Sequence, residues 1–90
     1  MSGLRGCRNV QVLTSVSSGT LGTPSMYVEV TNNNATDILI YINDYPDQGH
    51  PTAGVASQGI PIKAGTTREI PMYVYNFTAT GAVTVVAYTA

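Results

Sequence analysis

Asp37-Ile38-Leu39-Ile40-Tyr41-Ile42-Asn43 decides the fold. Ile38, Ile40 and Ile42 recur every second residue and line one face, while Leu39 and Tyr41 line the other. A period of two is the signature of a strand, and the β-branched side chains suit a pleated surface. Because both faces are apolar, this strand is central or covered on its second side.

The same alternation extends outward in both directions. Upstream, Val28 and Val30 face one way with Met26, and Tyr27, Glu29 and Thr31 face the other. The three asparagines 32–34 tolerate left-handed backbone, so strands 26–31 and 37–43 are expected to form an antiparallel hairpin. Farther upstream, Val10 and Val12 alternate with Asn9 and Gln11 in a first strand, about 8–15, followed by a loop over 15–24 rich in Ser, Gly and Pro. Downstream, residues 44–59 hold Pro46, Gly49, Pro51, Gly54 and Gly59 among polar residues and read as a long loop. Ile60-Pro61-Ile62 is a short edge segment, since proline cannot donate to a ladder, and 63–66 is a turn. Residues 68–76 form the next strand, with Ile70, Met72 and Val74 on one face and Tyr73 and Tyr75 on the other; Pro71 places it at an edge or bulge. A turn at Thr80-Gly81 leads to the last strand, 82–89, where Val83, Val85 and Ala87 alternate against Thr84, Val86 and Tyr88.

No stretch combines helix caps with a 3.6-residue period. The expected fold is all-β: a single domain over residues 1–90, a small antiparallel β-sandwich or barrel of about five to seven strands, with the aliphatic stripes inside.

Composition bounds what such a domain does. A 90-residue chain buries only about 60–65% of its unfolded surface, so its core is thin. Crosslinks or association rescue thin cores, and a lone Cys7 excludes an intrachain disulfide. Only 10% of residues are charged, against about 25% in an average soluble domain, which suits a surface packed against neighbours. Four Lys and Arg in a chain of net charge −1 cannot build the basic face that nucleic acid requires. No run approaches the ~18 apolar residues of a helical membrane span, and residues 1–7 lack the apolar core of a secretory signal. Synthesis and folding in a cytoplasm are therefore expected.

Chemistry-bearing residues are sparse. A serine hydrolase triad would need His50, the only histidine, with Ser57 or Ser25 and Asp44 or Asp47, but nothing in a Gly/Pro loop fixes an imidazole against a nucleophile. One His and one Cys cannot make a zinc site. Asp37, Asp44 and Asp47 match no calcium-loop spacing. Glu29 and Glu69 would need a cleft to act as a glycosidase pair, and both fall on outward positions or a strand start. Asn34-Ala35-Thr36 and Asn76-Phe77-Thr78 match the glycosylation triplet, which turn-rich chains often contain by chance. The expectation is a non-enzyme without cofactor or metal. Tyr27, Tyr41, Tyr73 and Tyr75 fall opposite the aliphatic stripes; they line either a second core face, a subunit interface or a carbohydrate-stacking surface, and a subunit interface is the expected site.

The run Gly59-Ile60-Pro61-Ile62-Lys63-Ala64-Gly65-Thr66, with a Val85-Val86-Ala87-Tyr88 strand near the end, resembles small virion proteins of tailed bacteriophages. The similarity covers about the C-terminal third. It implies a β-sandwich capsid decoration (cement) protein that binds the major capsid protein or other virion proteins as a homo-oligomer, in a virion assembled in the host cytoplasm. It implies no catalytic residues. The alternative is a tail or fibre-associated protein that binds a host glycan through loop 44–59 and outer tyrosines. A hydrolase using His50 ranks third, and its turnover would vanish in His50→Ala.

Ile40→Asp places an unpaired charge on the most apolar strand and is expected to abolish cooperative folding. A soluble variant with an ordinary urea transition would show that the strand faces are misassigned.

Overall fold

A computed structural model of the chain describes residues 9–21, 25, 27–43 and 59–89. The fold is all-β. Among the described residues six strands follow in order: β1 (Asn9–Thr20), β2 (Tyr27–Thr31), β3 (Ile38–Asn43), β4 (Ile60–Ile62), β5 (Thr67–Ile70) and β6 (Asn76–Thr89). They form one antiparallel sheet nearly closed on itself into a barrel-like shape.

β6 organises everything else. Along one edge it pairs with β1, from Asn9↔Thr89 to Thr20↔Asn76. Along the other it pairs with β2 over Thr84–Tyr88 and with β3 over Asn76–Ala79. β4 then adds to β3 and β5 to β2. The sheet thus has two halves that share the long strands β1 and β6. Both long strands are irregular at the same level: the β1–β6 register shifts between Leu13 and Val16 and again between Val16 and Ser18. Ser15, at the first shift, has φ 55°, a left-handed backbone that a non-glycine residue adopts only under constraint. At the same level of β6, a Cβ on Gly81 would lie 2.9 Å from Ile38 Cγ2, so only glycine permits β3 to pack this closely.

The core lies between the halves. Val28, Val30, Ile70, Val85 and Ala87 fill it from one side and Ile38, Ile40, Ile62, Phe77 and Ala79 from the other, all buried. Leu13 and Val16 of β1 pack against it.

Several expectations are corrected. Asparagines 32–34 do not close a hairpin: β2 and β3 follow one another along the same edge of β6, because β6 continues straight through the expected turn at Thr80-Gly81. β1 runs five residues past its expected end at Ser15, into the predicted loop. The strand expected over 68–76 stops at Ile70, where Pro71 removes a donor; Met72, expected inside, is 45% exposed, although Val74 is buried. The most consequential reversal is in β1. Val10 and Val12 are each 57% exposed, whereas Leu13 takes the inward parity and packs on the core. The loop expected over 44–59 lies outside the described residues apart from Gly59, as do Met26 and residues 1–8.

What fixes the corner between β2 and β3 is Asn32, which is fully buried. Its Nδ2 donates to Thr36 O and to Ile62 O, each at 3.0 Å. Its Oδ1 accepts from Asn34 N at 2.9 Å and Asn34 Nδ2 at 2.8 Å. Its backbone N donates to Thr66 O and its O accepts from Gly65 N, across to the β4–β5 turn. Both amide hydrogens and both lone pairs of the side chain are therefore satisfied. Asn34 extends the network to β6 by donating from Nδ2 to Ala82 O at 2.8 Å.

Asn32→Leu keeps the volume but strands several buried partners, so it should cost about 3 kcal/mol or more. Asn33, which is exposed, serves as the control: Asn33→Ala should stay within ~0.5 kcal/mol. Urea midpoints at constant m-value decide the matter, and equal midpoints for the two variants would refute the role given to Asn32.

Candidate interaction face

The outward side chains of β1, β6, β2 and β5 form a graded surface. Strand register arranges them in three rows. Val10 lies beside Tyr88, and Tyr88 beside Tyr27. Val12 lies beside Val86, then Glu29, then Glu69. Thr84, Thr31 and Thr67 make the third row, with the Thr31 and Thr67 hydroxyls 2.8 Å apart. The face is aliphatic at the β1 edge, aromatic at its end and acidic toward β5.

Local chemistry holds the polar part in place. Tyr27 and Tyr88 are tilted rings with centroids 5.5 Å apart. Tyr88 Oη donates to Glu29 Oε1 at 2.8 Å. Tyr27 hydrogen-bonds Glu69, and its phenol is pushed up to about 12; desolvation contributes most, followed by that hydrogen bond and the negative charges of Glu69 and Glu29. Two glutamates directly opposite each other across β2 and β5 repel, which the phenolic donors offset in part.

The tyrosines expected at an interface separate into different settings. Tyr27 lies half-buried on this face. Tyr73 is 65% exposed and Tyr75 half-buried, both in the irregular segment after β5. Tyr41 is corrected: at 5% exposure it presents no free surface, and Gly59 lies close against its ring. Tyr88, Val86, Val10 and Val12 belong to the face but were absent from the expected site. Outward alternation in β6 already signalled Tyr88 and Val86; nothing in the local pattern of β1 signalled its valines.

The other candidate groups serve the fold. Ser25 is fully buried, and its Oγ accepts from Val74 N at 3.1 Å. Asp37 Oδ1 accepts from Ala64 N at 2.9 Å, bracing the β4–β5 turn. In the two glycosylation triplets, the Asn34 amide nitrogen is held by Asn32 and Ala82, and Asn76 is buried in β6. Glu29 and Glu69 are neighbours, but on the outer sheet face. Cys7, Asp44, Asp47, His50 and Ser57 lie outside the described residues. Among the described residues, no three His, Cys, Asp or Glu side chains gather where a metal could sit, and no helix is long and apolar enough to cross a membrane.

No family model, curated protein or solved structure matches the chain.

The raised phenol has a sign that can be tested. Tyr27 favours its protonated form in the folded state, so its contribution to stability is complete below pH ~10 and is lost as pH climbs toward 12. Spectrophotometric titration should show one late-ionising tyrosine that disappears in Tyr27→Phe and ionises earlier in Glu69→Gln. An unchanged titration curve in both variants would dismiss the cluster.

Proposed function

We propose that this chain is a structural subunit of a virus particle, a capsid decoration (cement) protein of a tailed bacteriophage, and that it acts by burying its outer sheet face on neighbouring subunits. One observation carries the reading. Val10 and Val12 stand more than half exposed beside Val86, Tyr88 and Tyr27, although alternation in β1 could have placed both valines inside. Water-facing aliphatic and aromatic side chains in one contiguous patch mark a surface that is covered in use. Tyrosine adds apolar area at small entropic cost and keeps a polar tip for the rim.

Composition supports the same reading. Sparse charge leaves little to desolvate on contact, and the resemblance of the C-terminal third to phage virion proteins supplies the kind of assembly. In this reading the partner is the major capsid protein or another virion component, and the acidic border at Glu29 and Glu69 meets basic groups on it. Function then consists of added contact area across a shell under internal pressure, with no chemical step.

Val86 lies at the centre of the face and is half-exposed, so Val86→Asp should fold normally yet introduce an unpaired charge into the contact. Particles lacking the chain, mixed with excess variant and sedimented, should retain at least about tenfold less of it than of the parent chain. Equal occupancy would exclude this face. Loss of binding in Tyr73→Ala alone, with host polysaccharide as the bound species, would favour the tail-associated glycan binder instead.

A further inference from the structure

The outer sheet face carries two of the chain's five acidic residues side by side. Glu29 and Glu69 lie directly opposite one another on β2 and β5, where like charges repel. The two cations among the described residues are placed elsewhere. Lys63 sits on the β4–β5 turn, and Arg68, which shares the parity of buried Ile70, donates from Nη1 to Pro61 O at 2.8 Å. A carboxylate offers more lone pairs than one phenol uses, so the bonds from Tyr88 to Glu29 and Tyr27 to Glu69 leave acceptor capacity on both. The two rings, tilted by 44°, stand beside the carboxylates, and Val86 and Val12 continue the row of Glu69 and Glu29. This row is open to solvent: Val12 is 57% exposed, Glu69 is exposed, and Val86 and Glu29 are partly so.

We propose that this face docks a different protein through one arginine: its guanidinium lies between Glu29 and Glu69 against the rings of Tyr27 and Tyr88, and aliphatic neighbours of that arginine cover Val12 and Val86. The inference rests on the reading of this face as a packing surface and names the chemistry of what covers it. Charge complementarity selects the occupant. A cation between two facing carboxylates replaces their repulsion with attraction to both, and the apolar rows beside it exclude the water that would screen the contact. Arginine fits better than lysine. Its planar fork bonds two carboxylates at once and stacks on aromatic rings, whereas an ammonium is a strongly hydrated point charge. A second copy lacks the complement: among the described residues the outer face offers acids and no cation, and Arg68 is engaged with Pro61.

Nuclear magnetic resonance titration of the full chain tests this, with a short end-blocked peptide that alternates valine and arginine. The same peptide with lysine, or with glutamate, in place of arginine serves as comparison. The arginine peptide should shift the amide signals of Val12, Glu29, Glu69 and Val86 and bind at least about fivefold more tightly than the lysine peptide, while the glutamate peptide leaves them in place. Glu29→Gln combined with Glu69→Gln should weaken the arginine peptide at least about tenfold and remove its advantage over lysine. The thermal midpoint of that variant should hold or rise, because a repulsion is removed. Equal binding of the arginine and lysine peptides, undiminished binding in the double variant, shifts confined to other surfaces, or no shift at millimolar peptide would each overturn the inference. So would a dimer of the chain that Arg5→Gln or Arg8→Gln dissolves, since the face would then take a second copy. Particles that retain the double glutamine variant but not Val86→Asp sink the arginine contact and leave the proposed function standing. Arginine-selective binding by a chain that never occupies particles does the reverse.

Discussion

A single buried amide governs the architecture. Asn32 sits where the chain leaves β2, and its side chain and backbone together hold the β2–β3 corner, the end of β4 and the β4–β5 turn. With Asn34 reaching Ala82, the corner is also locked onto β6 at the level where the long strands become irregular. A hydrocarbon could fill the same space but could not specify this path. Three segments far apart in sequence meet at one residue, and each contributes backbone groups that would otherwise be buried without partners.

Much of this was legible in the residues. Alternation in 37–43 and 82–89 identified strands whose inner faces, Ile38 and Ile40, then Val83, Val85 and Ala87, are the core. Among the described residues Ile60–Ile62 pairs only with β3, in keeping with the edge that its proline suggests. The failures share one cause, which is that local pattern does not encode what a strand pairs with. Three asparagines between two strands have the chemistry of a hairpin turn, yet Asn32 turns inward and β6 occupies the place a hairpin partner would take. Thr80-Gly81 has the composition of a turn, yet it is the point where one strand passes between two halves of a sheet. In β1, valine and leucine compete for the inside at opposite parity, and Leu13 wins because Val85 and the core lie opposite it. Sequence alone had no means of ranking them.

The candidate face follows from that competition. Had Val10 and Val12 pointed inward, the outer sheet would have shown Gln11 and Leu13 beside Val86 and Tyr88, and the patch would have been less apolar. The acidic end is as deliberate in its construction. Glu29 and Glu69 are placed opposite one another at some cost, and each is oriented by a tyrosine whose ring also covers sheet. Orientation and apolar area are thus supplied by the same two side chains.

The position of β6 in the chain carries a consequence for biogenesis. β1, β2 and β3 all depend on a strand that the ribosome makes after every one of them. Until β6 emerges, β2 can pair only with β5 and β3 only with β4, while β1 waits for its described partner, and closure then joins segments as far apart as Asn9 and Thr89. Closure of the sheet accordingly waits for β6 and is slow for so small a domain, with a window in which chaperones compete with aggregation for the unfinished sheet.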